Sequence, residues 1–169
     1  MTTGTGPVSP ESAESPEITG QGAAALKVNE LFYQAIENAD MDLMEVVWVG
    51  AEDADGATCI HPGQSAIHGL SKIMRSWAVV CSRINYLQFF ITDAQVRQVG
   101  DVAIVTCVEN VLSEVPGQES ASMGFGGSHY EAINVFRRTG PGGQWRLLTH
   151  CSAPVFPPPD PADTDGRPV

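Results

Sequence analysis

The feature that most constrains this chain is the stretch from Ile84 to Leu112, two strand-like runs joined by Gly100-Asp101. The first run, Ile84 to Val99, mixes aromatic and β-branched residues with polar ones. The second, Val102 to Leu112, reads V-A-I-V-T-C-V-E-N-V-L and is apolar at almost every position. Gly followed by Asp between such runs predicts a tight β-hairpin, because Gly accepts the positive φ of the first central position. A strand as apolar as Val102 to Leu112 needs cover on both faces. Glu109 and Asn110 interrupt it, and on a regular strand they point to opposite sides.

Around this hairpin the chain falls into runs of one type. Ala23 to Asn38 predicts a first helix, with Val28, Leu31, Phe32, Ala35 and Ile36 on one stripe. Asp40 is placed to cap a short second helix, with Asp42 in its first turn and Leu43, Met44, Val47 and Trp48 as its buried face. Ala57 to His61 reads as a short strand stopped by Pro62-Gly63, followed by a loop through Ser65 and His68. Gly69 to Cys81 predicts a third helix, with Leu70, Ile73, Met74, Trp77 and Cys81 on one face. After the hairpin come a Gly/Ser-containing connection from Ser113 to Gly127, a strand from His129 to Arg138, a turn over Thr139 to Gly143, and a last strand from Gln144 to Ala153. Helices followed by four antiparallel strands predict an α+β domain with the helices on one face of a bent sheet.

Both ends differ from this middle. Residues 1–22 and 156–169 are rich in Pro, Gly, Ser and acids with little to bury, so two disordered tails are expected around a domain at 23–155. The formal net charge is −11, and the domain without its tails keeps −6. An acidic domain with Arg137-Arg138 as its only basic pair argues against nucleic acid and anionic membrane surfaces, which require phosphate neutralisation. No stretch reaches the length of a transmembrane helix, and no basic-then-apolar leader opens the chain, so a cytoplasmic protein is expected. Cys59, Cys81, Cys107 and Cys151 lie singly in apolar stretches and read as reduced core thiols.

The titratable residues in apolar surroundings are the candidates for chemistry. His61 ends the short strand beside the Pro-Gly stop, where an imidazole can serve as general acid or base or simply bond the loop backbone. His150 sits in the last strand between Thr149 and Cys151 and must find a partner in Glu109, Asn134 or a ligand. Glu109 is a candidate base if it faces inward. If it faces outward, it pairs across strands with Arg137 or Arg146. The aromatics Trp48, Trp77, Phe32, Tyr33, Tyr86 and Phe90 are available to line an apolar pocket, and the Asn134 amide to bond a carbonyl, although aromatics at helical spacing also serve as plain core. The four histidines match no zinc spacing, so no metal is expected.

The order of F-Y-x-A-I-E-x-x-D-x-D-x-M, C-I-H-P-G, H-G-x-x-x-I-x-x-S-W, F-x-I-T-D, G-D-V-A-I-V-T-C-V-E-N, N-V-F-R-R and W-R-L-L-T-H-C-S resembles the SnoaL-like branch of the nuclear transport factor 2-like superfamily, over Ala25 to Pro154. The resemblance implies a cone-shaped α+β barrel, three helices wrapped by a strongly bent antiparallel sheet, with an apolar cavity between them for a small molecule. It implies a homodimer formed sheet to sheet. It also implies a cofactor-independent proton-transfer enzyme of cyclase, isomerase or dehydratase type, or a non-catalytic ligand-binding or dimerisation module of the same fold. Cyclases of this fold use a cavity Asp and His. No Asp follows Asp101 in the remaining strands here, so the resemblance implies His150 from such a site, and its acid only where Glu109 replaces the Asp; His150, with His61 or Glu109 as partner, would carry the proton. The full Tyr/Asp/Asp set of ketosteroid isomerase is absent, with Tyr33 and Asp40 lying near two of its positions.

Overall fold

The computed structural model describes residues 20–83, 86–114, 125–139 and 143–156. Residues 1–19 of the expected N-terminal tail, nearly all of the C-terminal one, and the centre of the Ser113 to Gly127 connection lie outside the described residues, while residues 20–22, expected in the tail, are helical.

Helix α1 spans Gly20–Glu37, beginning three residues before the expected Ala23. Its stripe buries Phe32, Tyr33, Ala35 and Ile36. Helix α2, Met41–Val47, is capped as the sequence suggests: Asp40 Oδ1 accepts from the Leu43 N–H at 2.9 Å. Helix α3, Leu70–Arg83, buries Ile73 and Trp77.

Six strands follow the order β2-β1-β6-β5-β4-β3 in one sheet. They are β1 (Thr58–Ile60), β2 (Ile67–His68), β3 (Leu87–Val99), β4 (Val102–Glu114), β5 (Phe125–Arg138) and β6 (Trp145–Pro154). The last four run antiparallel, as expected, while β1 pairs parallel to β6. The sheet is mixed and does not close on itself. Strand β2 falls where a loop was expected. Two residues opposite Thr58-Cys59 are too short a signal to read as a strand.

The hairpin joins Val99 to Val102 through Gly100 at φ +60°. Asp101 stays outside the left-handed region, as a turn with Gly at its first central position requires. Two bulges bend the sheet around the helices. Asp93 and Ala94 together face Cys107, with Asp93 at φ +52°, and Leu148 is the extra residue of β6 against β5. The concave face carries Ala103, Val105, Cys107 and Glu109 of β4 with Ala132, Asn134 and Phe136 of β5, all buried. Outward point Val102, Ile104, Asn110 and Ile133. Glu109 therefore faces the helices. The alternative pairing with Arg137 or Arg146 does not form: Arg137 bonds Asp53 at 2.6 Å, and Arg146 donates to the Val46 and Trp48 carbonyls.

Among the described residues no helix is long and apolar enough to cross a membrane. All four cysteines are free thiols; Cys59 and Cys107 are buried, Cys81 and Cys151 half-buried.

Candidate active site

The bend of the sheet leaves a cavity of about 230 Å³ between α1, α3 and strands β3 to β6. This lies just under the span of about 300–1,000 Å³ usual for small-molecule pockets, so it suits a molecule of roughly one ring. Its wall is mostly apolar, with Ile36, Trp77, Val80, Leu87, Phe89 and Val111. Into that wall are set His61, Glu109, His150 and Ser152, each buried. Gln64 and Tyr130, exposed and half-buried, form its rim.

Each polar group arrives by a different route. His61 follows β1 and is held by α3: its Nε2 lies 2.9 Å from Ser76 Oγ, whose own proton goes to the Ile73 carbonyl at 2.9 Å. Nε2 must therefore be the protonated nitrogen, leaving the Nδ1 lone pair free. His150 comes from β6. Its Nδ1 donates to Asn134 Oδ1 at 2.7 Å, so the opposite tautomer is fixed and Nε2 carries the lone pair. Neither free nitrogen has a partner among the hydrogen bonds of the described residues. The two rings flank Trp77, with centroids 4.5 Å and 5.8 Å from its ring.

Glu109 is the end of a buried chain of donors. Ser152 Oγ donates to Oε2 at 2.5 Å and Tyr33 Oη to Oε1 at 2.8 Å. Asn134 Nδ2 donates to Tyr33 Oη at 3.1 Å and to Asn29 Oδ1 at 2.7 Å. Asn134 is thus a hub: the direction of donation runs from His150 through Asn134 and Tyr33 to Glu109. Cys107 Sγ lies 3.3 Å from Tyr33 Oη and completes the cluster.

Burial sets the protonation states. Desolvation, with a smaller push from His61, lowers His150 to about 3, so the ring is neutral. Desolvation also lowers His61. It raises Glu109 above the usual carboxylate range, and the hydrogen bonds from Ser152 and Tyr33 oppose that rise. Tyr33 is pushed well above its ordinary value by burial and then by Glu109. The thiols are disfavoured as nucleophiles: burial pushes Cys59 up to about 12 and raises Cys107. No group of three or more His, Cys, Asp or Glu among the described residues is arranged to hold a metal ion.

Of the residues singled out from sequence, the structure brings His61, Glu109, His150 and Trp77 to one cavity. Tyr33 and Asn134 stand behind that wall, hydrogen-bonded to Glu109 and His150 rather than lining it. Trp48 is fully buried against Phe32 and does not reach the cavity. Phe90 is on the opposite face, 51 % exposed, because the pleat gives the inward position to Phe89. Tyr86 lies at the surface, its hydroxyl 2.7 Å from Gln88 Oε1. Ser152 and Phe89 were missed. Ser152 was legible as the period-two neighbour of His150 on the same face. A larger groove of about 370 Å³ between α1 and β3 carries Glu30, Tyr33 and Glu37 but no histidine.

Comparison with known proteins gives this cavity a family. The model of the SnoaL-like domain matches residues 25–156. A nuclear transport factor 2-like family protein from Streptomyces avermitilis, provisionally named a dehydratase, is 35 % identical, with TM-score 0.71, over 81 % of this chain and 97 % of that one. Two others share the fold alone. A protein from Shewanella frigidimarina provisionally named a ketosteroid isomerase is 16 % identical, with TM-score 0.64 over 79 % and 97 % of the two chains. A protein with a cystatin-like fold from Caulobacter vibrioides is 13 % identical, with TM-score 0.64 over 86 % and 96 %. The search of curated proteins finds no match. The chain belongs to the SnoaL-like family, within the nuclear transport factor 2-like superfamily.

Proposed function

We propose that this protein is a lyase or isomerase that moves a proton on a small, apolar, carbonyl-bearing molecule, and that loss of water from a β-hydroxy carbonyl compound is the reaction that fits best. The observation that carries this reading is the convergence of the unpartnered His150 Nε2 with His61 and Glu109 on one apolar cavity. The 35 % identical relative, provisionally named a dehydratase, favours loss of water over isomerisation.

His150 Nε2 takes the proton from the carbon next to the carbonyl. Its Nδ1–H bond to Asn134 holds the ring plane and the tautomer meanwhile. The carbonyl oxygen lies toward the rim, where the Tyr130 hydroxyl and the Gln64 amide are donors. His61 Nδ1 accepts from the substrate hydroxyl and orients it. The imidazolium then returns the proton to that hydroxyl as the C–O bond breaks. The products are an α,β-unsaturated carbonyl compound and water.

A ring lowered to about 3 is by itself a weak base. The developing enolate changes this. Opposite charges about 4 Å apart at an effective dielectric of about 20 attract by about 4 kcal/mol, equivalent to about three pKa units. That offsets most of the burial shift only while the enolate exists, which stabilises the transition state and not the resting enzyme. Glu109, reached through Asn134 and Tyr33, adds to the same effect.

The test is a panel of small β-hydroxy ketones in heavy water, followed by NMR for exchange of the α-hydrogen and for elimination. The wild-type protein exchanges and eliminates at least one of them, and His150→Gln loses both activities by about 10²-fold or more. Equal rates in a folded His150→Gln protein would exclude His150 as the base.

One observation favours a second role. The convex sheet face exposes Phe90 at 51 %, Ile133 at 48 % and Ile104 at 37 %. Such a patch suits pairing of two copies sheet to sheet, with or without catalysis at the cavity.

A further inference from the structure

We infer that the cavity selects neutral, ring-sized molecules through hydroxyl groups that the ligand itself donates, and rejects anions. The inference deepens the proposed function and rests on its reading of the cavity as the ligand site.

It follows from which lone pairs and protons the buried wall presents. His61 spends its N–H on Ser76, and His150 spends its N–H on Asn134. Ser152 spends its proton on Glu109, whose two oxygens accept from Ser152 and Tyr33. The Trp77 indole N–H has no hydrogen-bond partner among the described residues, but its nitrogen is fully buried and leaves no surface for a ligand to reach. What these side chains have left is acceptors: His61 Nδ1, His150 Nε2, and the remaining lone pairs of Ser152 and Glu109. Apart from the buried Trp77 N–H, the free side-chain donors of the described lining stand at the rim, on Gln64 and Tyr130. A ligand seated deep must therefore bring its own donors, or leave buried acceptors without partners. A carbonyl can be met only at the rim, which fixes the direction of entry: hydroxyl end inward.

Charge sharpens the choice. Among the described residues that line the cavity there is no Lys or Arg, and the chain carries a net −11. A carboxylate, phosphate or other anionic group entering the cavity meets Glu109 and no counter-charge. An ammonium group is disfavoured by the same apolar wall, because the carboxylate is already met by two donors.

The experiment uses the full chain and four probes that share one ring. Resorcinol is the neutral double donor, 1,3-dimethoxybenzene the same frame without donors, 3-hydroxybenzoate the anion and 3-hydroxybenzylamine the cation. Binding is read by NMR titration, with Overhauser contacts to the Trp77 ring locating the probe. Resorcinol is expected to bind about tenfold or more tighter than the diether, and tighter than either charged probe. His61→Leu and His150→Phe should each narrow the gap between resorcinol and the diether. Three results would overturn the inference: a diether that binds as well as resorcinol, a charged probe that binds best, or no probe in contact with Trp77. The wild-type series alone decides, so a variant that fails to fold leaves the test intact. Turnover plays no part in this readout. Resorcinol selectivity without proton exchange would sink the reaction and keep the inference, whereas proton exchange by a protein that binds the diether as well as resorcinol would do the reverse.

Discussion

Asn134 is the residue on which the site depends without lining it. Its amide oxygen takes the His150 proton and its amide nitrogen serves Tyr33 and Asn29, all with the side chain fully buried. Asn134→Ala leaves several buried groups unpaired, at about 1–3 kcal/mol for each group stranded. A loss of about 3 kcal/mol or more in urea denaturation is expected, together with a His150 ring no longer held to one tautomer by NMR. The histidines also set a pH dependence. His150 is lowered in the folded state, so between about 3 and its unfolded value of 6.5 the unfolded chain binds the extra proton. Stability from this group is complete above that window and falls as pH drops through it. His61 acts in the same direction. Glu109 is raised, so it contributes stability when protonated and loses it as pH rises above its unfolded value. An NMR titration should show the His150 ring still neutral at pH 5. Glu109→Gln should steepen the acid-side loss of stability, since it removes the one group of the three that opposes it.

At the scale of elements, the helices supply cover and the sheet supplies chemistry. Strands β4, β5 and β6 each place an inward polar residue, Glu109, Asn134 and His150; Glu109 stands opposite Tyr130 and reaches the others through Tyr33, whereas Asn134 and His150 are direct cross-strand partners. Register is what brings them together, and the hairpin turn is one of its anchors. Gly100 has φ +60° and open space where a Cβ would stand. Gly100→Val therefore costs backbone strain and no clash, about 1–2 kcal/mol, measured by thermal or chemical denaturation. The Asp40 cap is worth about 1 kcal/mol, and Asp40→Ala should lose that amount with the cavity unaltered.

At the scale of the molecule, the two faces of the sheet have different tasks. The concave face closes the cavity, while the convex face exposes Phe90, Ile104 and Ile133 to whatever covers it. If two copies meet there, Ile133→Glu should shift the protein to monomer in sedimentation or native mass spectrometry while its concave face keeps its bonds. A wild-type monomer would set that pairing aside. The SnoaL-like fold was legible because its motifs are spread over nearly the whole matched length, and because helix and strand periods are local properties of sequence.

Sequence alone determined the element order apart from β2, the Gly100-Asp101 hairpin, the Asp40 cap and the short list of titratable residues in apolar runs. Each of these is written in neighbours a few positions apart. Only the tertiary structure decided that Glu109 faces inward and Phe90 outward, since a strand buried on one side and patched with apolar residues on the other gives no local sign of which face is which. It also decided that His150 bonds Asn134, that Asn134 bonds Tyr33 across 101 positions, and that Trp48 packs in the core away from the cavity. Those are meetings between residues separated in the chain, and the Leu148 bulge sets the register that puts His150 opposite Asn134. A hydrogen bond needs placement within a few tenths of an ångström, and periodicity in a sequence carries no information at that precision.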